Sequence, residues 1–448
     1  MDSRARIRAA HEQHVTGHAG CQWYEVLLAL YPVFPATIFL ATLAPSTHDH
    51  RLLQGRTVLE VLVVVVPIVA AQTFANDLLV ALAVFLSLAA AVAYTFSTSP
   101  AKNVVVETSG RDGVTLVRSI VGLSTAVAIL AVDFHVFPRR FAKTEEFGWS
   151  LMDVGAAGFL LINALVDMRP NAVRSVRTVL RETCVLLALG CARLLSLPAI
   201  DYQQHASEYG VHCNFFFVLA FTKIICGPWC WSVSAAGAAA AACCCTALQH
   251  CCTALLQDWV FSSQLRDSLV SGNREAVVGA TGYVALYCWG AALGKVVLRQ
   301  KSGGTAYEHS ARSLARGCAV AAAGAGAVLW LLVSVLRLQP SRRLVNAPFI
   351  IWMVFVFLLF TGLASSVEAA LKARGHNREV VPRVLRAINK HQLLFFLAAN
   401  IMTGLINLST DTLSVRPPWD LLIIFTYTAS LCCAVMLLQG YMTAQKTA

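Results

Sequence analysis

The sequence predicts an all-α fold: a polytopic integral membrane bundle of about thirteen helices, forming a single domain over residues 1–448. Three observations predict it. The chain is 57% hydrophobic and only 13% charged, about half the ~25% charge of an average soluble domain. Apolar runs near the roughly 20 residues that a bilayer-spanning helix needs recur along the whole length. The loops between those runs carry Lys and Arg unequally, as membrane loops do.

The runs are read in order. Residues 1–20 are polar and have no apolar core next to their basic residues, so no cleavable signal peptide is expected. Spans follow near 23–44, 58–74 and 78–96, the second and third parted only by "ANDL". The fourth, 119–137, is expected to end at Pro138, because proline cannot continue a helix. The fifth to seventh lie near 149–168, 178–196 and 211–231. The eighth, 233–256, is rich in Ala and Cys; five more follow near 277–298, 315–336, 346–368, 392–408 and 419–441. No internal repeat and no separate soluble domain stands out.

Of the 35 Lys and Arg, 20 fall in the C-terminal tail and the loops after odd-numbered runs, and 12 in the N-terminus and the loops after even-numbered runs. That bias places the C-terminus in the cytosol and the N-terminus on the far side. The net charge of +11 is then read as loop residues facing anionic headgroups. No basic stretch interleaved with aromatics points to nucleic acid. Most of the 15 Cys lie in apolar runs and are read as small packing residues. "CGPWC" (Cys226–Cys230) has neither redox nor zinc spacing.

The unusual polar groups share the non-cytosolic face. "VDFHVFPRRFAKTEEFGWSLMDVG" (132–155) brings Asp133, His135, Arg139, Arg140 and Lys143 to the end of the fourth run. Ionisable residues at membrane depth are functional candidates. A carboxylate in partly apolar surroundings can take a proton from a hydroxyl near neutral pH, and a nearby Lys can stabilise developing negative charge. Asp133 and Lys143, brought together beyond Pro138, make a workable acyl-transfer pair; a structural ion pair at a helix end is the alternative. "DYQQHASEYGVHCNFFF" (201–217) spaces Tyr202, His205, Glu208, Tyr209 and His212 three or four residues apart, as on one helix face. That face suits a polyhydroxyl headgroup; His205, Glu208 and His212 do not follow the zincin pattern, and no metal is expected. Asn400, Thr403 and Asn407 step along another helix face. No phosphate loop, GxSxG elbow or His-x4-Asp signature appears. Chemistry alone leaves a lipid-facing enzyme and a lipid or small-solute transporter both open.

These segments resemble the glycosylphosphatidylinositol (GPI) inositol acyltransferases of the PIG-W family. "DFHVFPRRFAKTEEFGWSLMDVG" is similar to that family's most distinctive segment, and "YQQHASEYGVHCNFFF", "NREAVVGATGY", "RRLVNAPFIIW" and "NKHQLLFFLAANIMTGLINLSTDT" resemble later blocks in the same order. Cys213 departs from the family's usual Trp. The resemblance implies transfer of a palmitoyl-type fatty acyl chain from acyl-CoA, a co-substrate, to the inositol 2-hydroxyl of glucosaminyl-phosphatidylinositol. It implies a site on the luminal side of the endoplasmic reticulum membrane, with no further cofactor. By similarity Asp133 is the general base, Lys143 assists at the thioester oxygen or the CoA thiolate, and His135 is a third catalytic candidate. Arg139 and Arg140 are implied at phosphate. Tyr202, His205, Glu208, Tyr209, His212, Asn214, Asn400 and Asn407 are implied around the substrate. A membrane-bound O-acyltransferase of the His type would need a deep catalytic His, and only His250 qualifies, in the Ala/Cys-rich run without a polar partner.

Overall fold

The computed structural model describes residue 14 and residues 17–43, 50–97, 112–169, 175–200, 208–298, 307–374 and 380–447. Each of the thirteen apolar runs carries helix. In order these are α1 (Trp23–Leu30) and α2 (Val33–Leu43), α3 (His50–Gln72), α4 (Leu79–Phe96), α5 (Asp112–Ala131), α6 (Asp153–Asp167), α7 (Val176–Ile200), α8 (Phe215–Ser232) and α9 (Ala235–Phe261). Then come the single turn α10 (Leu269–Gly272), α11 (Arg274–Val297), α12 (Tyr307–Trp330), α13 (Ala347–Ala373), the short α14 (Arg383–Lys390), α15 (Gln392–Ser409) and α16 (Trp419–Thr447). Among the described residues, eleven helical spans are long and apolar enough to cross a membrane. The remaining two runs are α6, only 15 residues long, and α7, which carries Arg177, Arg181, Glu182 and Arg193.

α5 sits at the centre, packed by α3, α6, α13, α14, α15 and α16. Its apolar window is 78% buried, against 11% for the span containing α4, whose Val80, Phe85 and Leu88 face outward as lipid-facing residues do. Two α5 hydroxyls are bonded across helices: Ser119 Oγ donates to the Leu385 carbonyl (2.6 Å), and Ser124 Oγ accepts from Gln72 Nε2 (2.7 Å). In apolar surroundings such partners are required.

Small residues permit the closest helix contact. Gly290 and Gly294 of α11 lie one turn apart against α6; a Cβ on Gly294 would stand 2.5 Å from the Leu165 carbonyl oxygen. Only glycine lets the two backbones approach so far. One cation within the helices is paired there with two carboxylates. Lys223 of α8 pairs with Asp167 (2.9 Å) and Glu182 (2.6 Å), and Tyr287 donates to the other Asp167 oxygen (2.7 Å).

Three sequence expectations are corrected. α5 stops at Ala131, so Asp133 lies in the turn beyond the helix, not within it. Pro138 therefore does not end the helix; it precedes a 3-10 turn, Arg139–Phe141. Glu208, Tyr209 and His212 do not lie on a helix, because residues 208–214 form a loop with Gly210 at φ +109. A Cβ on Gly210 would also meet the backbone of Asn273, so the loop needs glycine twice over.

Candidate active site

The loop from 132 to 152 builds the site, and its aromatics explain its shape. Phe134, Phe137 and Phe141 are all fully buried and pull the chain back onto the bundle end after α5. Arg139 then fixes the turn. Its guanidinium nitrogens donate to the carbonyls of Val132 (2.9 Å), Phe134 (2.9 Å), Phe137 (2.8 Å) and His14 (3.2 Å). Burial lowers its pKa to about 10, with the nearby Asp133 charge opposing that shift. The far end of the loop is tied down by Cys21 N–H to the Trp149 carbonyl (2.7 Å) and Gly148 N–H to the Pro340 carbonyl (2.9 Å).

Asp133 is 7% exposed, and its Oδ2 accepts a hydrogen bond from Asn407 Nδ2 of α15 (2.8 Å). Arg139 reaches it as a charge, since all three guanidinium nitrogens are placed on main-chain carbonyls. The expected Asp133–Lys143 pair is not the pairing found. Lys143 Nζ is bound by Glu208, from the loop before α8. Beyond the 3-10 turn the chain brings Lys143 to Glu208 and the Thr144 carbonyl to Arg342.

Lys143 belongs to a second network beside the first. Arg342 is ion-paired to Asp153 (2.9 Å), whose other oxygen accepts from Thr144 Oγ1 (2.7 Å). Burial pushes the Glu208 carboxyl up, but Lys143, Arg342 and Arg193 outweigh it and hold it at about 2. Lys143 itself stays 39% exposed in its side chain while it is ion-paired to Glu208. Tyr209 is buried beside Tyr283, the rings 6.3 Å apart.

The other expected residues are scattered. Arg140, expected at phosphate, is bound by Glu25 and Asp77 (each 2.9 Å). Exposed His135 packs edge-on to His14 at 4.7 Å. The His212 ring faces Asn273 (3.3 Å), and the Asn273 side chain accepts from the His212 and Cys213 N–H groups (2.9 Å each). Asn214 caps α8, accepting from Phe216 N–H (3.0 Å) and donating to the Gly190 carbonyl (3.0 Å). Asn400 is exposed and bonded back to the Phe396 carbonyl (2.8 Å), two helical turns from Asn407. Thr403 contacts the Tyr427 hydroxyl (3.3 Å). Tyr202 and His205 lie outside the described residues.

Sequence reasoning missed Arg342, Asp153, Thr144 and Asn273 as partners. Arg342 and Asn273 stand in the quoted "RRLVNAPF" and "NREAVVG" segments, so their importance was visible but their partners were not. Among the described residues no group of His, Cys, Asp and Glu is placed to hold a metal. The arrangement offers a buried carboxylate that accepts a hydrogen bond from Asn407 and, along the same loop, an ammonium anchored by Glu208. A carboxylate and an ammonium are groups that an acyl transfer can use.

The chain matches the GWT1 family over residues 7–438. It is 35% identical over 330 residues to "GPI-anchored wall transfer protein 1" of Schizosaccharomyces pombe, covering 71% of this chain and 70% of that protein. It is 31% identical over 364 residues to "Glucosaminyl-phosphatidylinositol-acyltransferase PIGW" of Bos taurus, covering 70% of each. With "Phosphatidylinositol-glycan biosynthesis class W protein" of Dictyostelium discoideum it shares 27% identity over 96% of both chains. This chain therefore belongs to the GWT1 family, whose named members include acyltransferases of GPI-anchor biosynthesis.

Proposed function

We propose that this protein transfers a fatty acyl chain from acyl-CoA to the inositol 2-hydroxyl of glucosaminyl-phosphatidylinositol, on the luminal side of the endoplasmic reticulum membrane. The observation that carries the reading is Asp133: a nearly buried carboxylate that accepts a hydrogen bond from Asn407, ten residues ahead of a part-exposed ammonium anchored by Glu208. Family membership names the reaction class; Asp133 gives it a base.

In the proposed step Asp133 takes the proton of the inositol hydroxyl as its oxygen attacks the thioester carbonyl. A C–O bond forms, the C–S bond breaks, and CoA leaves as a thiolate that recovers the proton from the Asp133 carboxyl. Lys143, ion-paired to Glu208, lowers the energy of the oxyanion or of the departing thiolate. Such base catalysis contributes typically about 10²–10⁴-fold.

The test is acyl transfer by the purified full chain in lipid nanodiscs, with palmitoyl-CoA and glucosaminyl-phosphatidylinositol, read by mass spectrometry. A product heavier by one acyl group, resistant to removal of the glycerol-linked chains, is expected. Movement of the lipid between leaflets without any acylated product would instead favour a transporter.

A further inference from the structure

We propose that Arg118, at the end of the bundle opposite Asp133, seats the phosphate of an anionic phospholipid from that leaflet. Arg118 lies in the second turn of α5 and Asp133 just beyond its last, so about 20 Å of helix separates the two. An ionisable side chain inside a membrane-spanning helix is costly, and one that stays there has a partner or a ligand.

Two other cations inside the helices show what a protein partner looks like here. Lys223 pairs with Asp167 and Glu182, and Lys372 of α13 with Glu368. Among the described residues Arg118 has no such acid. Its Nη2 donates to an amide, Gln392 Oε1 (2.9 Å), and its Nε is buried with no acceptor. Asp112, six residues earlier, falls about 120° around α5, and Asp167 is taken by Lys223 and Tyr287. α14 and α15 carry no Asp or Glu. The charge acting on Arg118 is another cation: Arg169, exposed just past α6, is near enough for the two to repel. A guanidinium without a carboxylate, a like charge beside it and an orphaned buried N–H together call for an anion.

The surroundings say which anion. Asn389 Nδ2 reaches Thr115 Oγ1, one turn before Arg118, at 3.4 Å, and Gln392 Nε2 returns to the Arg118 carbonyl at 3.3 Å. Each amide nitrogen carries a second N–H, and phosphate oxygens accept well from such donors beside a guanidinium. Lys390, next to Asn389, is exposed. Directly after Gln392, Leu393 and Leu394 of α15 are 43% and 54% exposed, an apolar face along which acyl chains can lie. A cation one turn inside the helix end, amide donors around it and apolar surface running inward match a phospholipid. A soluble phosphate would use only the polar half.

The test uses the full chain purified in nanodiscs of phosphatidylcholine with a small fraction of phosphatidylserine, an anionic lipid whose headgroup does not resemble inositol. Native mass spectrometry counts the lipid retained on release. The wild type should keep one phosphatidylserine in preference to phosphatidylcholine. Arg118→Gln removes the charge and should lower the retained fraction about tenfold. Arg118→Lys keeps the charge without the planar fork and should lower it a few-fold, which carries the test even where Arg118→Gln folds poorly. Arg316, exposed on α12, reaches the same membrane face, since α12 meets Gly362 of α13 close to where Ser365 meets Gly113 of α5. Arg316→Gln should leave retention unchanged. Phosphatidylserine should also raise the unfolding temperature of the wild type and of Arg316→Gln, but not of Arg118→Gln. No preference for phosphatidylserine in the wild type overturns the proposal. So does an equal loss in Arg118→Gln and Arg316→Gln, the sign of a diffuse attraction to headgroups. Displacement of the lipid by coenzyme A or inorganic phosphate overturns the lipid assignment and makes this a site for a soluble phosphate ester.

Discussion

Asp133 and Glu275 are both nearly buried carboxylates at helix ends, 7% and 1% exposed, and they are held in opposite ways. Glu275, at the start of α11, is surrounded by guanidinium groups: Arg266 (2.5 Å), Arg343 (2.8 Å) and Arg274 (3.9 Å). Arg343 also donates to the Val260 carbonyl (3.0 Å), and Arg274 to Ser262, so this cluster ties α9, α11 and the loop before α13 together. Asp133 accepts from an amide, while the nearest described guanidinium is turned to the main chain. Three cations around one carboxylate leave it neither free to take a proton nor able to move. The Asn407 amide fixes one oxygen of Asp133. Burial alone therefore does not distinguish the two carboxylates; Glu275 is set apart by the three guanidinium groups around it.

The comparison can be broken by exchanging what each acid is asked to do. The largest expected effect is on stability. Glu275→Gln leaves three guanidinium groups near one another without their anion, and breaking a buried pair costs about 3–5 kcal/mol. A marked fall in unfolding temperature is expected, with the rate per folded molecule little changed; a lower rate at full stability would put Glu275 in the chemistry. Next is Lys143→Ala. Removing one preorganised donor to an oxyanion costs about 10²-fold in rate, and the loss should appear in single-turnover measurements with the lipid's half-saturation preserved. If Lys143 only anchors Glu208, stability falls and rate does not.

A smaller effect concerns pH. Glu208 is held at about 2, below its ordinary 4.5. A depressed carboxyl contributes stability above its unfolded pKa and loses it as pH falls from about 4.5 toward 2. An acid limb of activity above pH 5 should therefore survive Glu208→Gln, and its disappearance would reassign the limb. The smallest effect is expected for Arg140→Gln. That pair with Asp77 is exposed on the Asp side, and such pairs contribute about 0–1 kcal/mol. A large loss of acyl transfer would instead restore Arg140 as a phosphate contact.

Much of the bundle was legible in the sequence, because apolar runs near 20 residues report burial in lipid directly. The breaks were less so. The first run divides at Tyr31–Pro32, and α5 ends before Asp133 because the buried Phe134 and Phe137 turn the chain, a tertiary cause invisible to periodicity. The helical spacing from Glu208 to His212 misled for the same reason: Gly210 and the docking of Asn273 shape a loop there. Asp133, Lys143 and Glu208 could be named from the sequence, but not who holds whom. Lys143 meets Glu208 across 65 residues, and Asn407 meets Asp133 across 274; nothing local encodes either distance.

The central claim is that Asp133 is the base, and Asp133→Asn tests it most directly. The substitution keeps the shape and removes the proton acceptor. Single-turnover transfer from palmitoyl-CoA to glucosaminyl-phosphatidylinositol should be measured in nanodiscs, at a folded fraction matched to the wild type. We predict a rate about 10²–10⁴-fold lower. A rate within a few-fold of the wild type would contradict the account and return Asp133 to the class of Glu275.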